Sequence, residues 1–169
     1  ALTFAYQWKS STDNTTFSDI DGETSNTYIP SDQTMVGKYL QVIVTTTDPY
    51  GGTGEFTATT GQVANVNDDP TGTVTITGTP TQGQVLTASN NIDDGDGLNT
   101  VSYQWKRDGT DISGATSSTY LLTQSDVGNT ITVTASYTDG EGTVESVTSA
   151  ATSAVANVND DPTGTVTIT

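Results

Sequence analysis

The sequence predicts an all-β protein made of tandem β-sandwich domains, and three observations lead to this prediction. Fifteen residues at positions 63–77 recur without change at positions 155–169, an offset of 92 residues (155 − 63). This period is longer than most solenoid repeats and close to the size of one β-sandwich. Apolar and polar side chains alternate along several segments, and no segment shows the 3.6-residue spacing of a helix.

The complete copy of the repeat begins with two predicted strands and an acidic loop. Residues 73–77 place Val74 and Ile76 on one face and threonines on the other, which is typical of a half-buried strand. Residues 84–89 form the second predicted strand. The polar run at residues 90–97 follows it as a loop rich in Asp and Asn.

The third predicted strand carries the aromatic residues of the copy. Val101, Tyr103 and Trp105 share one face of it, and Trp105 is the expected core anchor. The pair Asp108-Gly109 predicts a tight hairpin turn directly after the strand. The later strands are predicted at residues 120–122, at residues 130–137 with Ile131, Val133 and Ala135 inside, and at residues 143–155.

These strands predict tandem immunoglobulin-like Greek-key β-sandwiches without disulfides, since the chain has no cysteine. The motif Tyr-Gln-Trp-Lys stands at residues 6–9 and again at residues 103–106, well inside the second copy. We therefore expect a partial repeat at residues 1–66, with strands C to G. A complete repeat is expected at residues 67–158, and the first strand of a following repeat at residues 159–169.

Composition excludes several function classes. Twenty acidic residues against four basic ones give a net charge of −16, which argues against nucleic acid or an anionic membrane as a partner. The absence of cysteine and histidine excludes a tetrahedral zinc site and the usual nucleophile pairs, so we do not expect an enzyme. No apolar stretch approaches the length of a membrane span, so direct membrane insertion is not expected.

A calcium site is predicted where acidic loops meet. The B–C and F–G loops of an immunoglobulin-like sandwich share one pole with the start of strand A. Oxygen ligands gathered from several loops suit Ca²⁺, which takes six to eight of them with flexible geometry. The predicted ligands are Asn65, Asn67, Asp68 and Asp69 in the linker, Asp93, Asp94 and Asp96 in the B–C loop, Asp139 and Glu141 in the F–G loop, and Asp32 from the E–F region of the first copy. In the second copy, Asp126 would serve the next junction in the same way.

Calcium would convert repulsion between these carboxylates into a clamp between neighbouring repeats. Extracellular calcium modules bind with a Kd of about 10⁻⁴ to 10⁻³ M, which matches calcium levels outside cells. The same residues also have a simpler interpretation, because Asp, Asn and Gly are common turn formers that need no metal. Both interpretations stay open at the level of sequence.

Several motifs carry a family resemblance. They are Ser-Tyr-Gln-Trp-Lys at 102–106, Ile-Ser-Gly-Ala-Thr at 112–116, Ser-Thr-Tyr-Leu-Leu-Thr at 118–123, Asp-Val-Gly-Asn-Thr-Ile-Thr-Val at 126–133 and Tyr-Thr-Asp-Gly at 137–140. With them the chain resembles the immunoglobulin-like tandem repeats of giant bacterial surface adhesins of the RTX and biofilm type. Residues 65–70 are similar to the calcium linker of cadherins, with Asn65 where a cadherin linker carries Asp.

The resemblance implies an extracellular spacer at the bacterial cell surface that extends an adhesive tip or supports a biofilm matrix. Its partners would be neighbouring repeats of the same chain. Lateral pairing with other copies through Thr- and Val-rich edge strands is opposed by the net charge of −16 unless cations intervene. The alternative is a module of a surface protein or secreted enzyme that recognises a glycan or protein, with residues 10–26 as its loop. The duplicated linker favours the spacer.

Overall fold

The computed structural model describes residues 1–168 and confirms the all-β prediction. The chain separates into two compact units, which we call unit 1 (Ala1–Val66) and unit 2 (from Asn67 onward). Helical structure in the described residues is confined to two one-turn 3-10 helices, Gln33–Met35 and Gln124–Asp126. A helix long and apolar enough to cross a membrane is absent from this part of the chain.

Unit 1 is built on a single antiparallel sheet of four strands. The strands are β1 (Thr3–Ser11), β2 (Ser18–Asp19), β3 (Tyr39–Thr47) and β4 (Thr53–Gln62), in the order β2-β1-β3-β4. The register aligns Tyr6 with Val44 and Val44 with Phe56, so apolar side chains share one face. Phe56 on this face is 65% exposed, and Leu40 is the one large apolar side chain buried among the described residues of unit 1.

Unit 2 is a two-sheet sandwich. One sheet contains β5 (Val74–Thr77), β6 (Val85–Asn90) and β9 (Thr119–Leu121), in the order β5-β6-β9. The other contains β7 (Ser102–Arg107), β8 (Thr110–Asp111), β10 (Ile131–Thr138) and β11 (Val144–Thr148), in the order β11-β10-β7-β8. This strand order is that of an immunoglobulin-like Greek key.

The core of unit 2 lies between its two sheets. Trp105 is fully buried, as expected of the core anchor, and its ring stacks on Tyr120 with centroids 5.6 Å apart. The three positions predicted inside β10 are all fully buried. The core cluster consists of Val74, Leu86, Ala88, Ile92, Trp105, Leu122, Ile131, Val133, Ala135, Tyr137 and Val155.

Two local predictions have different outcomes. Asp108 and Gly109 form the predicted hairpin turn, with φ of 46° and 79°, as a two-residue turn of type I′ requires. The last strand, predicted to run to residue 155, ends at Thr148. Beyond that residue the amides of Ser149 and Thr152 still donate to β10 carbonyl oxygens, but the β10 amides donate to the hydroxyls of these two residues, so side chains replace the backbone acceptors of the ladder.

Residues 159–168 form no strand, although residues 165–168 repeat the sequence of residues 73–76. In unit 2 residues 74–76 of that sequence belong to β5, because each of them pairs with a residue of β6. Val166 and Ile168 have no such neighbour and are each 97% exposed. The expected first strand of a further repeat therefore stays a prediction.

The two units use the same hydrogen bonds around their tryptophans. The indole N–H donates to a serine carbonyl oxygen, from Trp8 to Ser25 at 2.9 Å and from Trp105 to Ser117 at 2.8 Å. In both units the preceding glutamine amide donates to the tryptophan carbonyl oxygen at 2.8 Å. The serine acceptor lies 17 residues after Trp8 but only 12 residues after Trp105, so unit 1 has a longer segment at this place. The extra residues leave these hydrogen bonds unchanged, as expected of an insertion in a surface loop.

Candidate metal-binding site

The candidate site lies at the end of unit 2 where the loop between β6 and β7 meets the turn between β10 and β11; we call this end the acidic pole. The Gly140 amide donates to the Asp96 carbonyl oxygen at 3.0 Å, and the Asn99 side-chain amide donates to the Asp139 carbonyl oxygen at 3.0 Å. A Cβ at Gly140 would stand 2.5 Å from the Asp96 carbonyl oxygen, so only glycine permits this approach.

Asp139 forms the turn between β10 and β11. Its Oδ1 accepts the amides of Glu141 at 2.9 Å and Thr143 at 2.7 Å, the pattern by which Asp initiates a turn. The side chain is only 2% exposed, and its Oδ2 atom is buried with no hydrogen-bond partner. Turn formation therefore uses one carboxylate oxygen and leaves the other free.

Asp94 and Asp96 bring the loop between β6 and β7 into the same pole. The Asp94 Oδ1 atom accepts the Asp96 amide at 2.8 Å, and the Asp96 Oδ2 atom accepts the Asp68 amide at 2.7 Å. Both side chains are buried, and the Asp96 Oδ1 atom has no partner. A Cβ at Gly95 would lie 2.6 Å from an Asp68 carboxylate oxygen, so the segment before β5 packs tightly on this loop.

Tyr137 and Glu145 complete the cluster from the two strands. The Tyr137 hydroxyl lies 2.6 Å from Asp94 Oδ2 and 2.8 Å from Glu145 Oε2, and having one proton it donates to one of them at a time. Burial, and then the two carboxylates, raise the pKa of the Tyr137 phenol well above its usual range. The hydrogen bond from Tyr137, with a further contribution from Glu145, lowers the pKa of Asp94.

The pole places three carboxylates close together. Asp94, Asp139 and Glu145 each offer one oxygen atom, and these atoms lie within 4.8 Å of one another. Only oxygen ligands are present, the set that hard cations such as Ca²⁺ and Mg²⁺ prefer. The arrangement is suited to holding a cation.

The ten residues predicted as ligands separate into groups. Asp94, Asp96 and Asp139 come together, buried, at the acidic pole, and Asp68 reaches it through its backbone amide. Asn67 also lies there, because its side-chain amide donates to Glu145 Oε1 at 2.8 Å. The side chains of the remaining predicted residues of unit 2 are exposed: Asp69, Asp93 and Glu141.

Two predicted ligands, Asp32 and Asn65, belong to unit 1. The Asp32 carboxylate accepts the Thr34 amide at 2.9 Å and caps a 3-10 helix, and Asn65 Oδ1 accepts the Gln33 side-chain amide at 3.1 Å. Asp126, expected to serve the next junction, is fully buried and binds Arg107 at 2.6 Å. Its carboxylate is therefore enclosed within unit 2.

Sequence reasoning missed Glu145 and Tyr137. The signal for Tyr137 was available, because it continues the inward alternation of Ile131, Val133 and Ala135 by one more step. Glu145 pairs directly with Tyr137 across β10 and β11, so the register of the hairpin would have placed it beside the phenol. Glu145 lies within the strand predicted at residues 143–155, whereas the predicted ligands all come from loops and linkers.

Comparison with known proteins finds one family whose model matches part of the chain. Residues 2–66 match a family described as "Domain of unknown function (DUF8696)", a stretch that coincides with unit 1. The chain matches no curated protein and no solved structure. These comparisons assign no activity to either unit.

Proposed function

We propose that the protein is a structural extender repeat of a large extracellular bacterial adhesin, made rigid by calcium bound at the junctions between repeats. In this role it supports cell adhesion or a biofilm matrix. The observation that carries the proposal is the bond between the Asp68 amide and the buried Asp96 carboxylate, at 2.7 Å. It joins the start of unit 2, within the duplicated segment, to the acidic pole.

The duplicated segment supports a spacer more than a recognition module. Residues 63–77 and 155–169 contain the same Asn-Val-Asn-Asp-Asp-Pro linker, so the chain repeats the part that enters the acidic pole. A spacer needs its linker and core repeated in every unit. A recognition site needs only one distinctive loop, and gains nothing from an identical linker.

Charge explains why a cation would act on such a spacer. The chain carries −16, and several carboxylates of unit 2 are buried at one pole. A divalent ion bound there neutralises part of this charge and reduces the freedom of the segment from Asn67 to Pro70, because Asp68 is held by the same loop. A linker restricted in this way transmits the direction of one repeat to the next.

Small-angle X-ray scattering of the 169-residue chain with calcium and with a chelator tests the proposal. We expect calcium to narrow the distribution of interatomic distances, because the two units then adopt fewer relative orientations. Sodium chloride at matched ionic strength serves as the control for simple charge screening. A distribution that is equally broad with and without calcium would show that the protein is not a calcium-stiffened spacer.

A further inference from the structure

We infer that Asp94, Asp139 and Glu145 bind one hard divalent cation inside unit 2. This inference deepens the proposed function and rests on it for the choice of Ca²⁺ as the ion. It differs from the site expected from the sequence, because its three carboxylates all belong to one unit and one of them comes from a strand. The ion would therefore stabilise a single repeat.

The first observation is the convergence of the three side chains, which come from the loop before β7, the turn after β10 and strand β11. Their ligand oxygen atoms lie within 4.8 Å of one another. The second observation is independent of this proximity: the Asp139 Oδ2 atom is buried without any hydrogen-bond partner, on a side chain that is 2% exposed. Buried polar atoms are nearly always satisfied, so such an atom calls for a partner.

The hydrogen bonds around the cluster orient the carboxylates. One oxygen of each is held by an N–H donor: Asp94 Oδ1 by the Asp96 amide, Asp139 Oδ1 by the Glu141 and Thr143 amides, and Glu145 Oε1 by the Asn67 side chain. The second oxygen of Asp139 has no partner, and the second oxygens of Asp94 and Glu145 share the single proton of the Tyr137 hydroxyl, so one of these two also lacks a donor at any moment. Outer hydrogen bonds of this kind fix the direction of metal ligands and strengthen binding.

Unit 2 offers no positive side chain to the cluster. Its two basic residues are Lys106 and Arg107, next to each other on β7. They bind Asp111 at 3.3 Å and Asp126 at 2.6 Å, respectively. Buried carboxylates without a partner of opposite charge are costly, so a bound cation would remove an imbalance that the residues of unit 2 leave in place.

The origin of the ligands favours calcium over magnesium. Mg²⁺ demands near-ideal octahedral geometry and keeps several waters, whereas Ca²⁺ accepts six to eight oxygens in flexible arrangements. A site assembled from a loop, a turn and a strand has its ligands placed by three separate elements. Water and carbonyl oxygens would complete the coordination.

Isothermal titration calorimetry of the 169-residue chain with CaCl₂ and with MgCl₂ tests the inference. We expect calcium to bind more tightly than magnesium, and Glu145→Gln to weaken calcium binding at least tenfold. Glu141→Gln is the matched control, because it removes the same charge from an exposed residue of the same β10–β11 hairpin. An unchanged affinity for Glu145→Gln, or an equal loss in the control, would overturn the inference.

Thermal unfolding shows whether Glu145 acts as a calcium ligand or only stabilises the fold. Without calcium, Glu145→Gln should melt no lower than the wild type, because it removes one of several repelling charges and its amide keeps the Asn67 and Tyr137 contacts. With calcium, it should lose most of the rise in midpoint seen for the wild type. A variant that melts lower without calcium and keeps the full rise would identify Glu145 as structural only.

Scattering distinguishes failure of this site from failure of the proposed function. If calcium still narrows the distance distribution of Glu145→Gln, the spacer stands and the site within unit 2 is wrong. If calcium binds through Glu145 but leaves the distribution of the wild type unchanged, the site stands and the spacer is wrong.

Discussion

Two turns of the molecule are built from the same hydrogen bonds but differ in what surrounds them. In unit 1 the Asp48 carboxylate accepts the amides of Tyr50 and Gly52, both at 2.8 Å. In unit 2 Asp139 holds the equivalent turn through two amides in the same way. Asp48 is half-buried, whereas Asp139 is buried under the loop that contains Asp96, whose carbonyl oxygen accepts the Gly140 amide.

The neighbours of the two turns also differ. The strand pair that leads into the Asp139 turn places Tyr137 opposite Glu145, and the equivalent pair in unit 1 places Thr46 opposite Gly54. A turn-forming aspartate is therefore common to both units, but only unit 2 surrounds it with further carboxylates. A turn-forming aspartate by itself therefore does not distinguish a simple turn from a candidate metal site.

The largest expected difference between the units concerns their tryptophans. Trp105→Ala should lower the free energy of unfolding of unit 2 by about 3–5 kcal/mol, since a fully buried ring is removed from between two sheets. Trp8→Ala should cost unit 1 clearly less, because Trp8 is only half-buried against one sheet. Urea unfolding followed by far-ultraviolet circular dichroism measures both. Equal losses would show that unit 1 is as well packed as unit 2.

The next prediction concerns the buried ion pair of unit 2. Asp126→Ala should cost about 3 kcal/mol or more, because it leaves Arg107 without its partner and removes the acceptor for Thr123. Asp111→Ala, which removes the exposed partner of Lys106, should cost no more than about 1 kcal/mol. Urea unfolding monitored by Trp105 fluorescence in a Trp8→Phe background compares the two. If both variants lose the same small amount of unfolding free energy, the Arg107–Asp126 pair contributes no more than an exposed ion pair.

Calcium should stabilise unit 2 selectively. At ten to one hundred times its Kd, a ligand of the folded state adds about 1.4 to 2.7 kcal/mol of stability. Asp139→Asn should abolish most of this gain while keeping its turn, because the asparagine Oδ1 atom still accepts both amides. Asp48→Asn makes the same change in unit 1 and should leave the gain intact. Urea unfolding with and without calcium measures the gain in each variant. If Asp139→Asn keeps the full gain, Asp139 is not a calcium ligand.

The smallest effect is expected from pH. Burial opposes ionisation of Asp126, but the Thr123 amide and the Arg107 guanidinium more than offset it and hold the pKa below its ordinary value of 3.8. The resulting stability is complete above about pH 4 and is lost on further acidification, by at most about 1.4 kcal/mol per pH unit. Thermal midpoints between pH 5 and pH 3 should fall for the wild type and fall less for Asp126→Asn. Parallel curves would contradict this assignment.

The strands could be predicted because their signals are local. Alternation placed Ile131, Val133 and Ala135 in the core, and the pair Asp108-Gly109 located its turn, since both rest on the conformations of adjacent residues. The end of β11 could not be predicted. Its sequence continues to favour a strand, but the β10 amides donate to the hydroxyls of Ser149 and Thr152 where a strand would offer backbone carbonyl oxygens.

The acidic pole could be predicted only in part. The topology of the fold indicated which loops meet, and three of the acidic residues named from it lie buried together. It did not indicate which side chains point inward. Glu141 and Glu145 lie in the same hairpin and have the same chemistry, but Glu141 is exposed and Glu145 contacts Tyr137. That difference follows from cross-strand register.

By itself, the sequence determined the all-β class, the repeat length and the strands with strong alternation, because these depend on spacing along the chain. The tertiary structure alone decided whether a given stretch or side chain finds a partner. Residues 74–76 of β5 have a neighbouring strand, and the same three residues at positions 166–168 have none. Asp139 and Asp48 form one kind of turn, but only the loop packed on Asp139 excludes water from its free oxygen and brings other carboxylates within reach.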